Sequence, residues 1–259
     1  MKIRKILKKV INPVYNRSET LRYHISSARI YIDNHKMKEK RKLFYSNFVK
    51  EGDLCFDIGA NMGNRTDIFL SLGAKVIAVE PQDECVEFLK RKYRDKIIIE
   101  QKGVGAEPSI KDFYICDASV LSTFSDEFKS GAVWEGGDYK LKEIRKIEII
   151  TLDSLISKYG LPSFVKIDVE GFEPEVMKGL SQKTKIMSFE YATGGSSKIF
   201  ETCINLLLQI SDDIIFNFSI GESMKLFSEE WYDKDHFMNI INSEEFIKTN
   251  FGDIYVKFT

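Results

Sequence analysis

The sequence has few cysteines, and none is spaced for pairing or for metal binding. Cys55, Cys85, Cys116 and Cys203 are scattered through 259 residues without a C-x-x-C pair. This pattern excludes a disulfide framework and a zinc ribbon, and it favours reduced, buried thiols. A long apolar run is missing as well, because no stretch approaches the ~18 residues that a membrane-spanning helix needs.

A secretory signal is also absent. The N-terminus is basic but has no continuous apolar region and no small-residue cleavage site, so we expect no signal peptide and a cytoplasmic protein. Residues 1–11 place apolar side chains at helical spacing opposite lysines, a pattern typical of helices that lie on anionic membranes. Peripheral attachment at the inner face of the membrane is therefore one option. Packing of this helix on its own domain or on another subunit is the other.

Charge is distributed unevenly along the chain. Residues 1–50 contain 14 Lys and Arg against 3 Asp and Glu, whereas the remaining 209 residues contain 24 against 36. An acidic body without a wide basic surface argues against a nucleic-acid partner. We expect a basic helical extension over residues 1–48 and one domain over residues 49–259. Within the extension, the basic cluster at 36–42 is predicted to be the solvated face of a helix.

Residues 54–80, LCFDIGANMGNRTDIFLSLGAKVIAVE, are the most informative segment. They predict a strand over 54–58, a helix that ends at Gly73, and a second strand over 76–79. Two parallel strands joined by a helix place the loop from Gly59 to Gly63 at the carboxyl edge of the sheet, where open α/β folds bind ligands. Glu80, directly after the second strand, suits a ribose diol.

That loop lacks the G-x-G-x-x-G pattern of a dinucleotide site. Asp57 precedes Gly59, and Asn61 stands where a further glycine is expected. A pyrophosphate beside Asp57 would be repelled, whereas a ligand with a cationic centre and an amino group would be attracted. S-adenosylmethionine has both, so we prefer it to NAD; an NAD-dependent oxidoreductase is the alternative. The structural alternatives are that Asp57 caps a helix or braces the loop, and that Glu80 is a solvated strand end.

The rest of the chain alternates between predicted strands and helices. This alternation predicts an α/β fold with a doubly wound, mostly parallel sheet and an antiparallel C-terminal edge. An irregular insert between the strands at 113–116 and 146–152 is interpreted as a mobile loop or a surface excursion; it contains Ser119, Ser122, Thr123, Gly131, Trp134, Gly136 and Gly137. The other predicted strands are 97–100, 163–168, 186–191, 214–218 and 254–258, and the other predicted helices end near Tyr93, Lys158, Lys178 and Gln209.

Three sequence blocks together resemble a known family. They are D-I-G-A-N-M-G-N at 57–64 with Glu80-Pro81, T-L-D at 151–153, and V-K-I-D-V-E-G-F-E at 165–173. In this order they resemble FkbM-type S-adenosylmethionine-dependent methyltransferases, over roughly residues 50–192. The resemblance implies a Rossmann-like class I methyltransferase fold and, most often, O-methylation of a hydroxyl on a glycan or other small molecule.

The resemblance also implies where the cofactor binds. The glycine loop is expected to pass under the methionyl part, with Asp57 near its amino group. Glu80 is expected to hold the ribose hydroxyls. Val104, within Gly103-Val104-Gly105, is expected to contact adenine, and a simple turn is the alternative for these three residues. The implied cofactor-binding residues are Asp57, Gly59, Ala60, Asn61, Gly63, Asn64, Glu80 and Val104.

Carboxylates follow the predicted strand at 163–168. Asp168, and after it Glu170, are the candidate catalytic bases, since an alcohol attacks a methyl group only as its proton leaves. In the alternative, Asp168 braces the Gly171 turn and Glu170 caps the next helix. With Glu190, these side chains also offer hard oxygen ligands for Mg²⁺, although we expect no metal.

No histidine lies near these motifs, and His236 is interpreted as a surface or packing residue. A third hypothesis for the whole protein is a non-catalytic, membrane-docking partner in a biosynthetic complex, motivated by the helix predicted at the N-terminus.

Overall fold

The computed structural model describes residues 37–126, 139–194 and 199–259. Its strands, in chain order, are β1 (Leu54–Ile58), β2 (Lys75–Val79), β3 (Ile98–Glu100), β4 (Gly103–Val104), β5 (Ser109–Cys116), β6 (Leu141–Ile150), β7 (Phe164–Ile167), β8 (Ile186–Ala192), β9 (Ile214–Ile220) and β10 (Phe251–Phe258). Its helices are α1 (Lys38–Tyr45), α2 (Asn64–Ser71), α3 (Asp83–Tyr93), α4 (Leu152–Tyr159), α5 (Glu173–Lys178), α6 (Ile199–Ile210), α7 (Lys234–Ile241) and α8 (Glu244–Ile247).

Seven strands form the main sheet, in the order β3-β2-β1-β7-β8-β10-β9. β1 lies between β2 and β7 and is parallel to both, whereas β10 is antiparallel to both β8 and β9. The predicted fold class is confirmed. The antiparallel strand is the last one in the chain, and it lies between β8 and β9 rather than at the outermost position.

Helices cover both faces of this sheet. Apolar residues of α1, α2 and α3 join one core cluster, and those of α4 to α8 join the other. The central strands β1 and β7 are buried along almost their whole length because both of their faces are covered. Thr151 caps α4 in a capping box with Ser154, which fixes the point where the chain leaves β6 and enters the helix layer.

A second, three-stranded sheet has the order β4-β6-β5. The strands predicted at 113–116 and 146–152 exist, but they are longer and belong to this smaller sheet, in which β5 and β6 are antiparallel. Only one face of this sheet is buried: Phe113, Ile115 and Ile147 pack together, while Ile110 and Ile144 are exposed. Of the predicted insert, Gly131, Trp134, Gly136 and Gly137 lie outside the described residues.

The helix α1 packs directly against the sheet. Phe44 and Phe48 contact Tyr255 of β10 with ring centroids 5.4 and 5.3 Å apart. The prediction of a solvated basic face at 36–42 is wrong for Arg41, which is only 3% exposed. Residues 1–11 lie outside the described residues, and the domain boundary at 48/49 stays a prediction. None of the helices in the described part of the chain has the length and apolarity of a membrane span.

Candidate active site

A cavity of about 480 Å³ opens at the carboxyl ends of β1, β2 and β7. The small sheet forms its other side, through Val104, Phe113 and the segment from Ser119 to Phe124. Of the predicted site residues, Asp57, Gly59, Ala60, Asn61, Asn64, Glu80, Val104, Asp168 and Glu170 line this cavity. Gly63 is not among the lining residues and forms the N-cap of α2 instead. The structure therefore brings nine of the ten predicted site residues to one cavity. Their assignment as a cofactor and catalytic site stays a prediction.

The glycine loop (residues 59–63) touches the strand end that carries the catalytic candidates. Gly59 has a φ of 80°, and a Cβ at this position would lie 1.9 Å from the backbone oxygen of Asp168. Only glycine permits this approach, because the conformation and the contact both exclude a side chain. The two sequence blocks that predicted the site are therefore in direct contact.

Asp57 is buried beneath this loop. Its Oδ2 accepts a hydrogen bond from Thr66 Oγ1 at 2.5 Å, which connects the end of β1 to α2. Burial raises the pKa of the Asp57 carboxyl above its ordinary value. The bracing contact of the structural alternative is thus present, and Asp57 also lines the cavity.

Glu80 is held rigidly at the end of β2. Its Oε2 accepts a hydrogen bond from the Asn61 backbone N–H and its Oε1 accepts one from the Gln82 backbone N–H, both at 2.8 Å. Only 2% of the residue is exposed, so the alternative of a solvated strand end is wrong. Burial raises the pKa of Glu80 to about 7.

Ser119, Ser122 and Phe124, in the described part of the insert, line the cavity. Gln82 links two of them, because its Nε2 donates to the Ser119 carbonyl at 3.0 Å and its Oε1 accepts from Ser122 Oγ at 3.1 Å. Thr123 Oγ1 donates to the Glu170 carbonyl at 2.7 Å. The described part of the insert is therefore fixed to both the β2 and the β7 sides of the cavity, through Ser119, Ser122 and Thr123. Composition alone did not indicate these contacts.

Three carboxylates crowd together at the ends of β7 and β8. Oxygen atoms of Asp168, Glu170 and Glu190, which we call the carboxylate edge, all lie within 4.8 Å of one another. Glu170 has a φ of 53°, a conformation that costs free energy in a residue with a side chain. Burial and the charge of Glu190 raise the pKa of Glu170 well above its ordinary value, and burial and Asp168 do the same to Glu190. Such a pair retains a proton between its members at a pH where isolated glutamates are ionised.

Lys166 supports this edge from within β7. Its Nζ lies 3.0 Å from Asp253 Oδ1 and 3.3 Å from Asp168 Oδ2. Burial opposes the charged form, but Asp168 and Asp253 outweigh it, and the pKa of Lys166 is raised. Sequence reasoning gave Lys166 no role, although a lysine inside a buried apolar strand is a signal in itself, because lysines are rarely buried unless they are paired.

Glu173 performs the task that the structural alternative gave to Asp168, which is to brace the Gly171 turn. Its Oε1 accepts hydrogen bonds from the Val169 and Gly171 backbone N–H groups at 3.1 and 3.4 Å, so Glu173 braces the turn. The N-cap of α5 is Phe172, without a side-chain cap, so Glu170 does not cap this helix. Burial raises the pKa of Glu173 to about 7.

A basic group lines the cavity beside α1 and α2. Arg41 and Arg65 each place Nη2 on one oxygen of Glu222, at 2.8 and 2.7 Å, and we call these three residues the arginine clamp. The arginines are 3% and 9% exposed, whereas the Glu222 side chain is 48% exposed. Burial alone would raise the pKa of Glu222, but the two arginines lower it to about 2. Sequence reasoning missed the clamp, because its members come from three distant segments.

A match between this chain and a family model establishes the family to which the chain belongs. A family model described as the methyltransferase FkbM domain matches residues 57–243, which is most of the chain. The chain belongs to the FkbM methyltransferase family. The FkbM match includes the glycine loop, Glu80 and the carboxylate edge, so the resemblance inferred from the three sequence blocks is confirmed.

Solved structures with a similar fold were also found. A TehB-like SAM-dependent methyltransferase from Corynebacterium glutamicum is 8% identical, with a TM-score of 0.45 over 90% of this chain and 98% of that chain. Precorrin-6y C5,15-methyltransferase from Geobacter metallireducens is 10% identical, with a TM-score of 0.44 over 85% and 86% of the two chains. Fibrillarin from Aeropyrum pernix, with natively bound S-adenosyl-L-methionine, is 11% identical, with a TM-score of 0.41 over 81% and 68%. No curated protein sequence matches the chain.

Some residues of the site lie outside the FkbM match. Arg41 precedes it and Asp253 follows it, although each forms an ion pair with a residue inside it. His236 lies within the match but is exposed, and its ring contacts Tyr232 with centroids 4.8 Å apart. It is not among the residues that line the cavity, in keeping with the surface role expected for it.

Proposed function

We propose that this FkbM-family protein is an S-adenosylmethionine-dependent methyltransferase that methylates a hydroxyl on a glycan or another small molecule. The observation that carries the proposal is the contact between Gly59 and the Asp168 carbonyl. It brings the acid-glycine loop, suited to a cationic nucleoside, into one cavity with carboxylates suited to activating a hydroxyl.

The residues of the cavity fit this cofactor chemically. Asp57 and Glu80 are buried carboxyls with raised pKa values, and a cationic ligand would stabilise the charged form of Asp57. Glu80, with its orientation fixed by two backbone N–H groups, would accept hydrogen bonds from the ribose hydroxyls. Val104 would pack against adenine. The ammonium and carboxylate of the methionyl part would then lie on the β1 and β7 side.

The carboxylate edge would activate the acceptor. When bound, the cofactor supplies an electrophilic methyl group, and alignment of the nucleophile with it provides much of the rate acceleration. Asp168 is the first candidate to accept the hydroxyl proton, since it lines the cavity and its orientation is fixed by Lys166. Glu170 is the second candidate, once the proton that it retains with Glu190 has left.

Mg²⁺ is the rival means of activation. The carboxylate edge has the oxygen ligands that Mg²⁺ prefers. The Lys166 ammonium, 3.3 Å from Asp168, opposes a second cation there. We therefore propose activation by a side chain without a metal. Turnover that is lost in EDTA and restored by Mg²⁺ would contradict this choice.

Calorimetric titration with S-adenosylmethionine tests the cofactor. We expect saturable binding, and no binding at high micromolar concentrations would refute the proposal. The NAD alternative is tested by quenching of nicotinamide fluorescence. We expect no quenching, since the Asp57 carboxylate would repel a pyrophosphate in this cavity.

The acceptor is best sought with labelled cofactor. We expect methyl incorporation into cell-envelope glycans or soluble metabolites when both fractions are offered to the purified protein. Cofactor binding without incorporation into either fraction would favour a non-catalytic partner in a biosynthetic complex.

We further propose that the protein is cytoplasmic and that it attaches to anionic membranes through residues 1–12. Deletion of these residues should release the protein from anionic vesicles and leave its activity intact. Unchanged partitioning between vesicle and solution would dismiss the membrane role.

A further inference from the structure

The arginine clamp is assembled from three separate parts of the chain. Arg41 is in α1, Arg65 is in the first turn of α2, and Glu222 follows β9. The two ion pairs span 181 and 157 residues of sequence. All three residues line the same cavity as the glycine loop. The guanidinium carbon of Arg65 also lies 5.9 Å from the centroid of the Tyr45 ring, which restricts its position further.

Arg65 has hydrogen-bonding capacity that the clamp leaves unused. Two guanidinium groups share the single carboxylate of Glu222. Asp253 also acts on the charge of Arg65, but it forms its ion pair with Lys166. Arg65 Nε is buried and has no hydrogen-bond partner among the described residues. Since buried charge is costly unless it is paired, the clamp is suited to receive a second anion from the cavity.

The position of the clamp indicates which anion this is. Along the sheet edge, Val104 and Glu80 lie on the β3 and β2 side, where the adenosine is proposed to bind, and the glycine loop follows at β1. Arg65 lies in the first turn of the helix that follows that loop, and its charge acts on Asp57. In the proposed cofactor, the ammonium group expected beside Asp57 and the only anionic group, the α-carboxylate, are attached to the same carbon atom.

We propose that Arg41 and Arg65 bind the α-carboxylate of S-adenosylmethionine, with Glu222 holding the two guanidinium groups side by side. This inference rests on the proposed function. It makes Arg41, which precedes the matched domain, part of the cofactor site. Two guanidinium groups in a fixed orientation match the planar geometry of a carboxylate better than lysines would.

Calorimetry with two ligands tests this assignment. Decarboxylated S-adenosylmethionine lacks only the α-carboxylate, so we expect the wild-type protein to bind the intact cofactor roughly 10- to 100-fold more tightly, as charge-assisted hydrogen bonds imply. Arg65→Gln and Arg41→Gln should each weaken binding of the intact cofactor by about tenfold or more and leave binding of the analogue nearly unchanged. Each variant should therefore lose most of the preference for S-adenosylmethionine over the decarboxylated analogue.

Binding of the analogue also reports that each variant is folded. Arg65→Lys retains the positive charge but lacks the planar guanidinium that can donate two hydrogen bonds to one carboxylate. We therefore expect its preference for the intact cofactor over the analogue to lie between those of the wild type and Arg65→Gln. Arg91→Gln removes an exposed arginine that pairs with Glu87, outside the cavity, and should change neither affinity.

An Arg65 variant that weakens both ligands equally would overturn the inference and assign the clamp a structural role. Unchanged affinity for both ligands would overturn it too, and would leave the arginines to an anionic acceptor. A wild-type protein that binds neither ligand would refute the proposed function, and the assignment of the clamp with it.

Discussion

On the β1 and β2 side of the cavity, each buried carboxylate is satisfied within its own crossover unit. Glu80 accepts from Asn61 and Gln82, and Asp57 accepts from Thr66. On the β7 and β8 side, three carboxylates lie within 4.8 Å of one another and Glu170 has a strained backbone. The first side is a preorganised binding surface. The second stores electrostatic repulsion, which is typical of sites where protons move.

The largest expected effect comes from breaking the contact between the two sides. Gly59→Ala places a Cβ 1.9 Å from the Asp168 oxygen in a strained conformation, so calorimetry should detect no cofactor binding. Gly52→Ala is the matched control, because Gly52 has a φ of 82° and nothing within 4 Å of the added carbon. If the two variants bind the cofactor alike, the contact is not essential to the site.

Asp168→Asn should separate binding from chemistry. We expect cofactor binding to persist while kcat falls by about 10²–10⁴-fold, since a positioned base is lost. Asp253→Asn removes the other partner of Lys166 without altering the lining of the cavity, and should have a smaller effect. Equal losses in the two variants would mean that Asp168 acts by orienting Lys166 rather than as the base.

Glu173→Gln should show how much folding stability is lost when Glu173 is ionised at its buried position beneath the carboxylate edge. A single oxygen of Glu173 accepts both backbone hydrogen bonds, so glutamine can preserve them. The folded-state pKa of about 7 lies above the unfolded value. The stability that Glu173 contributes is therefore present in acid and is lost as the pH rises towards 7 and beyond.

Urea unfolding at two pH values measures this cost. At pH 8 we expect the glutamine variant to be more stable than the wild type by roughly 1–3 kcal/mol, with little difference at pH 5. Glu175→Gln, which removes a surface carboxylate paired with Lys178, controls for the loss of charge on the same helix. A difference between the Glu173 variant and the wild type that does not change with pH would contradict the expectation.

The smallest effect should be seen in Glu190→Gln. Burial and the Glu190 charge both raise the pKa of Glu170, and this variant removes only the charge. The pKa of Glu170 should fall, so the acidic limb of the pH profile of kcat should move to lower pH. An unmoved limb would show that the pair does not control turnover.

The contrast between the two sides of the cavity also explains which parts of the candidate site could be predicted from the sequence. The glycine loop and Glu80 were recognised because they belong to one short unit whose pattern encodes its own geometry. Asp168 and Glu170 were recognised because they end a buried strand. Lys166 and Asp253 are 87 residues apart, and the ends of the clamp are 181 apart, so only the folded sheet brings these partners together.

The small sheet shows a different limit. The strands predicted at 113–116 and 146–152 lie largely within β5 and β6, but a strand prediction does not specify which sheet a strand joins. The hydrogen bond from Thr123 to the Glu170 carbonyl depends on where this small sheet lies, so no local sequence pattern predicted it.

The position of β10 has a consequence for biosynthesis. The last strand of the chain inserts between two earlier strands and delivers Asp253 to Lys166. Before β10 has been synthesised, the Lys166 ammonium lacks one of its two carboxylate partners and the space between β8 and β9 is unfilled. Lys166 and Asp168 therefore reach their final arrangement only after residues 251–258 have joined the sheet.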